Sequence, residues 1–372
     1  MNIFALDLGN KQTKLYSDKL HEKGEKEGKI KAKVNPSRFM YKSDLGNSST
    51  ALFSQKAQVK TYKSAADEEE YAWGPEMYKL HNDNKFLDTI SFENRYEKEE
   101  FKLLADFALA ELASDYGAEA TDGILPVTVV TGVPSDDFNE EDVPQIMKVL
   151  KGDHTVSIDG VSHIVRVNEV HVLPQSVGTV YNEILDNEGF VIPEKESMLE
   201  EEIVVNDIGG GTYLINVLRN MNLASSYQFP TGLYELHEEI VRMAKEESSQ
   251  YSKLTTYEVD HILKTGSFEN GFYYKPNKDT SYDLTAIVKR ANNKYTREII
   301  NKSNSAIKNF SSVDTNLYTG GGANLIDQER IMAQYKRAIF VADSESASVR
   351  GFWKYGKALA LESEEAAATT EE

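Results

Sequence analysis

The chain has 372 residues, 40% hydrophobic and 27% charged, with 41 basic against 60 acidic side chains and a formal net charge of −19. A surface this acidic argues against direct DNA binding over a broad face and against attraction to anionic membrane. The absence of cysteine excludes disulfides, thiol catalysis and cysteine-ligated zinc. With no apolar run near the roughly 18 residues of a membrane span and no signal-peptide pattern, a cytoplasmic protein of two lobes is expected.

In chain order, Ile3-Phe4-Ala5-Leu6 predicts a strand, followed by Asp7-Leu8-Gly9-Asn10-Lys11-Gln12-Thr13-Lys14 as a glycine turn into a second strand over 13–16. Residues 19–33, rich in Lys and Glu with Gly24 and Gly28, read as an exposed hairpin or loop. Residues 34–95, with Phe39, Tyr41, Phe53, Tyr62, Tyr71 and Trp73 among polar residues, read as a small strand-rich insertion. Phe101, Leu104, Ala105, Phe107, Ala108 and Leu112 recur at helical spacing, predicting a helix within 96–116. Val127–Val130 reads as a buried strand. Asp159-Gly160 between alternating apolar residues signals a hairpin whose second strand continues over 165–173. Pro174 is placed as the first residue of a helix over 176–185.

The second half repeats the opening device. Ile203-Val204-Val205 leads into Asp207-Ile208-Gly209-Gly210-Gly211-Thr212 and a strand over 213–218. Gly232 precedes a helix over 233–244, residues 245–285 form a polar, tyrosine-rich insertion, and 284–300 reads as helix. A strand over 316–319 enters Gly320-Gly321-Gly322 and a short helix over 323–331. Phe340-Val341 is a last strand and 347–360 a last helix. The Glu, Ala and Thr-rich residues 362–372 are expected to be disordered.

Each aspartate closes a strand, and the glycines let backbone N–H groups face an anion, Gly9 by permitting the unusual φ that a tight turn requires. Lys14 can reach back to phosphate. Asp7 and Asp207 suit the water shell of a Mg²⁺ ion, which takes few carboxylates. Gly320, Gly321 and Gly322 open a helix, where bare backbone can lie beneath a base or ribose and the N-terminus favours phosphate.

Asp-x-Gly-Asn-x-x-x-Lys, then Pro174-Gln175, then Asp-Ile-Gly-Gly-Gly-Thr, then Gly-Gly-Gly-Ala-Asn resembles the actin-like ATPase superfamily, and within it the bacterial plasmid-segregation actins of the ParM or StbA group. Thr131-Gly132-Val133-Pro134, Val172-Leu173-Pro174-Gln175 and Arg350-Gly351-Phe352-Trp353-Lys354-Tyr355-Gly356 support the resemblance, which runs from residue 1 to about 357 and is faint in 19–95 and 245–285. It implies an α/β, actin-like (ribonuclease H-like) fold of two lobes, each a mixed sheet with helices and a smaller inserted subdomain. Lobe I would be 1–175 with 341–372, with an insertion at about 19–95. Lobe II would be 176–340, with an insertion at about 233–285.

The resemblance also assigns roles. Gly9, Asn10 and Lys14 match the first phosphate loop, Gly209, Gly210, Gly211 and Thr212 the second, and Gly320, Gly321 and Gly322 the adenosine loop. Asp7 and Asp207 match the aspartates around Mg²⁺, and Gln175 the residue that orients the attacking water. Glu235 and Glu238 are candidates for ribose or base contact. Lys11 departs from the pattern, standing where small residues are common.

The implied activity is hydrolysis of ATP (GTP being possible) to ADP, coupled to head-to-tail filament assembly. A basic, ParR-type adaptor on centromere-like plasmid DNA would be the link to DNA segregation. Rival readings are a small-molecule kinase, a chaperone ATPase, a membrane-tethered or other non-segregation actin filament, and a nucleotide-bound scaffold. The Pro-Gln junction argues against the kinase, since glutamine is a poor general base.

Overall fold

A computed structural model describes residues 1–28, 31–45, 58–80, 85–89 and 94–370. Phe53 and parts of the 34–95 insertion lie outside the described residues, as do the last two residues of the chain. The chain divides into two compact units, Met1–Glu196 with Ser348–Glu372, and Ser197–Ala347.

The first unit opens with the hairpin β1 (Ile3–Leu8) and β2 (Gln12–Ser17), followed by α1 (Asp18–Glu27). The small strands β3 (Lys33–Pro36), β4 (Arg38–Tyr41), β5 (Lys60–Ser64), β6 (Tyr71–Trp73) and β7 (Leu87–Asp88) come next. Then follow α2 (Glu99–Ala113), α3 (Ala118–Thr121), β8 (Leu125–Val133), α4 (Asp142–Leu150), β9 (Gly152–Ile158), β10 (Val161–Pro174) and α5 (Gln175–Ile184). Among the described residues the strands form one sheet in the order β3-β2-β1-β8-β10-β9-β5-β6-β4-β7. Its centre, β1 to β8 to β10, is parallel.

β1 is buried on both faces, which is why it reads as a continuous apolar run rather than an alternating one. Phe4, Leu6 and Leu8 face the core built on α2, while Ile3 and Ala5 face a second cluster containing Val349, Phe352 and Trp353.

The second unit repeats the scheme: β11 (Glu202–Ile208), β12 (Tyr213–Arg219), β13 (Asn222–Phe229), α6 (Leu233–Glu247), α7 (Thr256–Thr265), β14 (Tyr273–Tyr274), β15 (Tyr282–Asp283), α8 (Thr285–Ala306), β16 (Thr315–Thr319), α9 (Gln328–Gln334) and β17 (Ala338–Phe340). Its main sheet runs β13-β12-β11-β16-β17, parallel from β11 to β16 to β17. The hairpins β1–β2 and β11–β12 share a register: Asp7 pairs with Lys14, and Asp207 with Leu214. Helix α10 (Ala347–Thr370) is the last described element and, from Ser348 on, belongs to the first unit.

Four expectations are corrected. The stretch 19–33 is not a hairpin or loop: α1 occupies most of it, capped by Ser17, whose hydroxyl accepts from Leu20 N, and closed by left-handed Gly28 at φ 64°. Its buried residues Leu20, His21 and Gly24 are too few to show as periodicity, and the charged face dominates the sequence. Pro174 is not the first helical residue but the last of β10, with ψ of 136°, so α5 begins at Gln175. The helix placed at 323–331 is a 3₁₀ turn (Gly321–Asn324) followed by α9. The segment 362–372 continues α10 to Thr370, because Glu and Ala prolong a helix already nucleated by the packed residues before them. The strand character of the described part of 34–95, the 96–116 helix and the hairpin at Asp159 and Gly160, both at positive φ, are as expected.

Candidate functional site

In the first unit the site is built around the Asp7 carboxylate, which is 3% exposed. Its Oδ2 accepts from Lys14 Nζ at 3.4 Å, Gln175 Nε2 at 3.3 Å and Ser348 Oγ at 3.1 Å. Three elements therefore meet on one oxygen: β2 across the hairpin, α5 at its first residue, and α10. A carboxylate can only accept, so the Gln175 amide must present its NH₂ to Asp7, which turns its Oε1 away.

The turn after Asp7 is closed tightly. Gly9 is not left-handed, so the expected reason for glycine does not hold. What excludes a side chain is space, since a Cβ would stand 2.8 Å from the Gln12 carbonyl. Asn10 and Lys11 are exposed at the tip. The Gly9 carbonyl accepts from Ser37 Oγ at 2.6 Å and Arg95 Nη2 at 3.0 Å, and the Lys11 carbonyl from Ser37 N at 3.0 Å. With the turn's carbonyls tied back in this way, fewer of them are left to repel an incoming anion.

Arg95 is buried, also donates to the Thr89 carbonyl and lies over the Phe101 ring; burial lowers its pKa. Ser37, Thr89, Arg95 and Ser348 are absent from the sequence reading. They are isolated polar residues whose partners lie far along the chain, and no local spacing marks them.

Helix α5 is held from behind by α10. Gly351 and Gly178 pack backbone to backbone, and the Phe352 ring fills the space that side chains at Gly132 and Gly178 would need. Lys354, 7% exposed, donates to the carbonyls of Asn182 and Leu185 at 2.6 Å each, capping the C-terminal end of α5. Burial pushes its pKa down to about 8.

In the second unit Asp207 is the last residue but one of β11, and the turn Gly209 to Thr212 closes with Gly209 N donating to Thr212 O at 2.9 Å. The first amides of α6 do not point to solvent. Leu233 N donates to Gly209 O at 3.0 Å and Tyr234 N to Gly210 O at 2.9 Å, which ties the helix start to the glycine turn. Gly232 is required for this approach, because a Cβ there would overlap the Gly210 carbonyl.

The third glycine run closes on the same turn. Gly320, left-handed at φ 81°, has no space for a Cβ beside Asp207 and Ile208, and Gly322 none beside Ile208. Ser344 fixes this run, its hydroxyl donating to Gly320 O at 2.9 Å and its carbonyl accepting from Gly320 N at 3.2 Å. The structure thus brings Asp207, Gly209, Gly210, Gly211, Thr212, Gly320, Gly321 and Gly322 together in one place. Glu235 and Glu238 are exposed on α6.

Among the described residues no group of three or more His, Asp or Glu side chains is placed to hold a metal ion. Single carboxylates such as Asp7, already saturated on one oxygen, fit Mg²⁺ carried on nucleotide phosphates with several waters, and do not fit an all-protein cage.

A strand–turn–strand that recurs at one register in two sheets, each continued by a parallel strand, is the architecture of the two-lobed actin-like fold. The chain belongs to the actin-like proteins: the model described as "Actin like proteins N terminal domain" matches residues 5–178, and that described as "Alp7A C-terminal domain" matches residues 202–348.

Solved structures agree on the fold. The actin-like protein Alp7A is 14% identical with a TM-score of 0.76, covering 99% of both chains. Bacillus thuringiensis ParM with ATP is 18% identical with a TM-score of 0.67, covering 95% of this chain and 97% of its own. An Alp12 filament structure is 15% identical with a TM-score of 0.63, covering 95% and 97%. No curated protein sequence matches the chain. Among the described residues no helix is long and apolar enough to cross a membrane.

Proposed function

We propose that the protein is a cytoplasmic ATP hydrolase that assembles head to tail into filaments on binding nucleotide, disassembles after hydrolysis, and moves plasmid DNA through a basic DNA-binding adaptor. The observation that carries the catalytic part is Gln175 Nε2 donating to Asp7 Oδ2 at 3.3 Å, beside the first glycine turn. An amide fixed there by a carboxylate orients water but does not deprotonate it, and phosphoryl transfer needs positioning and electrostatics above all. A kinase would need a carboxylate at that junction as general base.

The residue roles follow from the chemistry of each group. Backbone amides of the turns at Gly9–Asn10 and Gly209–Thr212, with Lys14, bind phosphate. Gly320, Gly321 and Gly322 receive the nucleoside, with Glu235 and Glu238 as candidate ribose or base contacts. Asp7 and Asp207 would each hold waters of a Mg²⁺ ion, and the ion would supply positive charge to the phosphates. ATP is the expected nucleotide, given a ParM solved with it on the same fold, and GTP is the alternative. The filament part is supported by the family and by an Alp12 filament of the same fold. The acidic surface suits a basic adaptor.

The test is light scattering and phosphate release with ATP, GTP and a slowly hydrolysed analogue. Assembly with nucleotide, and a fall in phosphate release to a small residual rate in Gln175→Ala with nucleotide binding retained, are expected. No assembly at any concentration, with or without adaptor, rejects the filament reading.

A further inference from the structure

Ser348 is a small polar residue on α10, 6% exposed, that neither glycine turn contains, and its hydroxyl reaches Asp7 across 341 positions of chain. We infer that Ser348 is a positioning residue for the hydrolytic step, acting through Asp7 on Gln175; the inference rests on the ATPase reading above. The hydroxyl donates to Asp7 Oδ2, the same oxygen that receives the Gln175 amide.

Asp7 turns about its side-chain bonds unless something holds it, and Lys14, at 3.4 Å on a long flexible stem, is a loose restraint. Ser348 is a short side chain one turn before Gly351 and Phe352, which lock α10 against α5 and β8. The hydroxyl thus transmits the position of a packed helix to the carboxylate. The carboxylate in turn selects one of the two amide orientations of Gln175. In that orientation Oε1 is the atom left to accept a hydrogen bond from water. Without Ser348 the carboxylate swings, the Gln175 amide loses its place as well as its orientation, and most of its poses no longer present Oε1 to water.

The test compares Ser348→Ala, Ser348→Thr, Gln175→Ala and the double variant Ser348→Ala/Gln175→Ala in the full chain. In Ser348→Ala, kcat for ATP falls about tenfold with KM little changed, as misplacement of a positioned group predicts. Ser348→Thr, which keeps the hydroxyl, restores most of it. In the Gln175→Ala background Ser348→Ala has no further effect, because the group it positions is gone.

A readout independent of turnover is the side-chain amide signal of Gln175 in nitrogen-15 glutamine-labelled protein, assigned by its loss in Gln175→Ala. That signal shifts or broadens in Ser348→Ala, with the thermal unfolding midpoint reporting whether the fold is intact. An unmoved signal, or additive kcat losses in the double variant, overturns the inference. A shifted signal in a protein that hydrolyses no nucleotide upholds the positioning geometry and rejects the ATPase reading instead.

Discussion

Gly351 of α10 rests directly on the Gly178 carbonyl of α5, with no room between them for a single methyl group. The contact sits three residues after Gln175 and three residues after Ser348, so it sets the spacing at which the two helices deliver their side chains to Asp7. Gly351→Ala is expected to push the helices apart. The loss should be about 3 kcal/mol, since the obstacle is backbone and cannot rotate away. Chemical denaturation measures it, and an unchanged midpoint would show that the two helices separate freely.

Arg95 reaches the carbonyl of Gly9 from a buried position, and burial lowers its pKa without removing its charge at neutral pH. Arg95→Met should leave the Gly9 carbonyl with Ser37 alone and loosen the first turn. Under the nucleotide reading, affinity for ATP falls about tenfold, near the value of one hydrogen bond to a charged donor. Titration with a fluorescent ATP analogue reports it; unaltered affinity in a folded variant would remove Arg95 from any role in the turn.

Gly320 combines positive φ with contact against Asp207 and Ile208. Gly320→Ala meets both obstacles and should destabilise the second unit by about 3 kcal/mol or more. Gly211 has open space around the position of a Cβ. Gly211→Ala should therefore cost less than about 1 kcal/mol of stability, so any larger loss of nucleotide affinity there reports on the ligand and not on the fold. Paired unfolding and binding curves for the two variants test the contrast.

His154 donates or accepts at both ring nitrogens, Nδ1 with Asp106 Oδ1 at 2.7 Å and Nε2 with the Leu150 carbonyl at 2.9 Å. Both partners only accept, so the imidazolium satisfies both. Burial alone would lower the pKa, but the hydrogen bond and charge of Asp106, with the Leu150 carbonyl and Asp153, raise it above 6.5. The folded state therefore holds the proton more tightly than the unfolded one. The contribution is complete below pH 6.5 and is lost as pH rises through the folded pKa. The stability gap between wild type and His154→Leu should be wider at pH 6 than at pH 8.5; a constant gap would mean that the ring stays neutral throughout.

Much of this architecture was legible in the sequence because its signals are local. A buried parallel strand has to be apolar along its length, so Ile3-Phe4-Ala5-Leu6 and Ile203-Val204-Val205 stand out. A turn that admits no Cβ has to be glycine, and the recurrence of Asp-x-Gly in both halves exposes the duplication. The helix α1 was missed because its stability rests on a serine cap and three buried residues, while its charged face imitates a loop.

The sequence by itself determined the two sheets, the glycine turns and the pairing of each turn with an aspartate, since each follows from the chemistry of adjacent residues. Only the tertiary structure decided what surrounds them. Ser348 and Gln175 share one oxygen of Asp7, Ser37 and Arg95 tie back the Gly9 carbonyl, and Ser344 fixes the third glycine run. A serine or arginine has no propensity that announces a partner dozens or hundreds of residues away. Its role comes into being only when packing removes water and leaves one acceptor within reach.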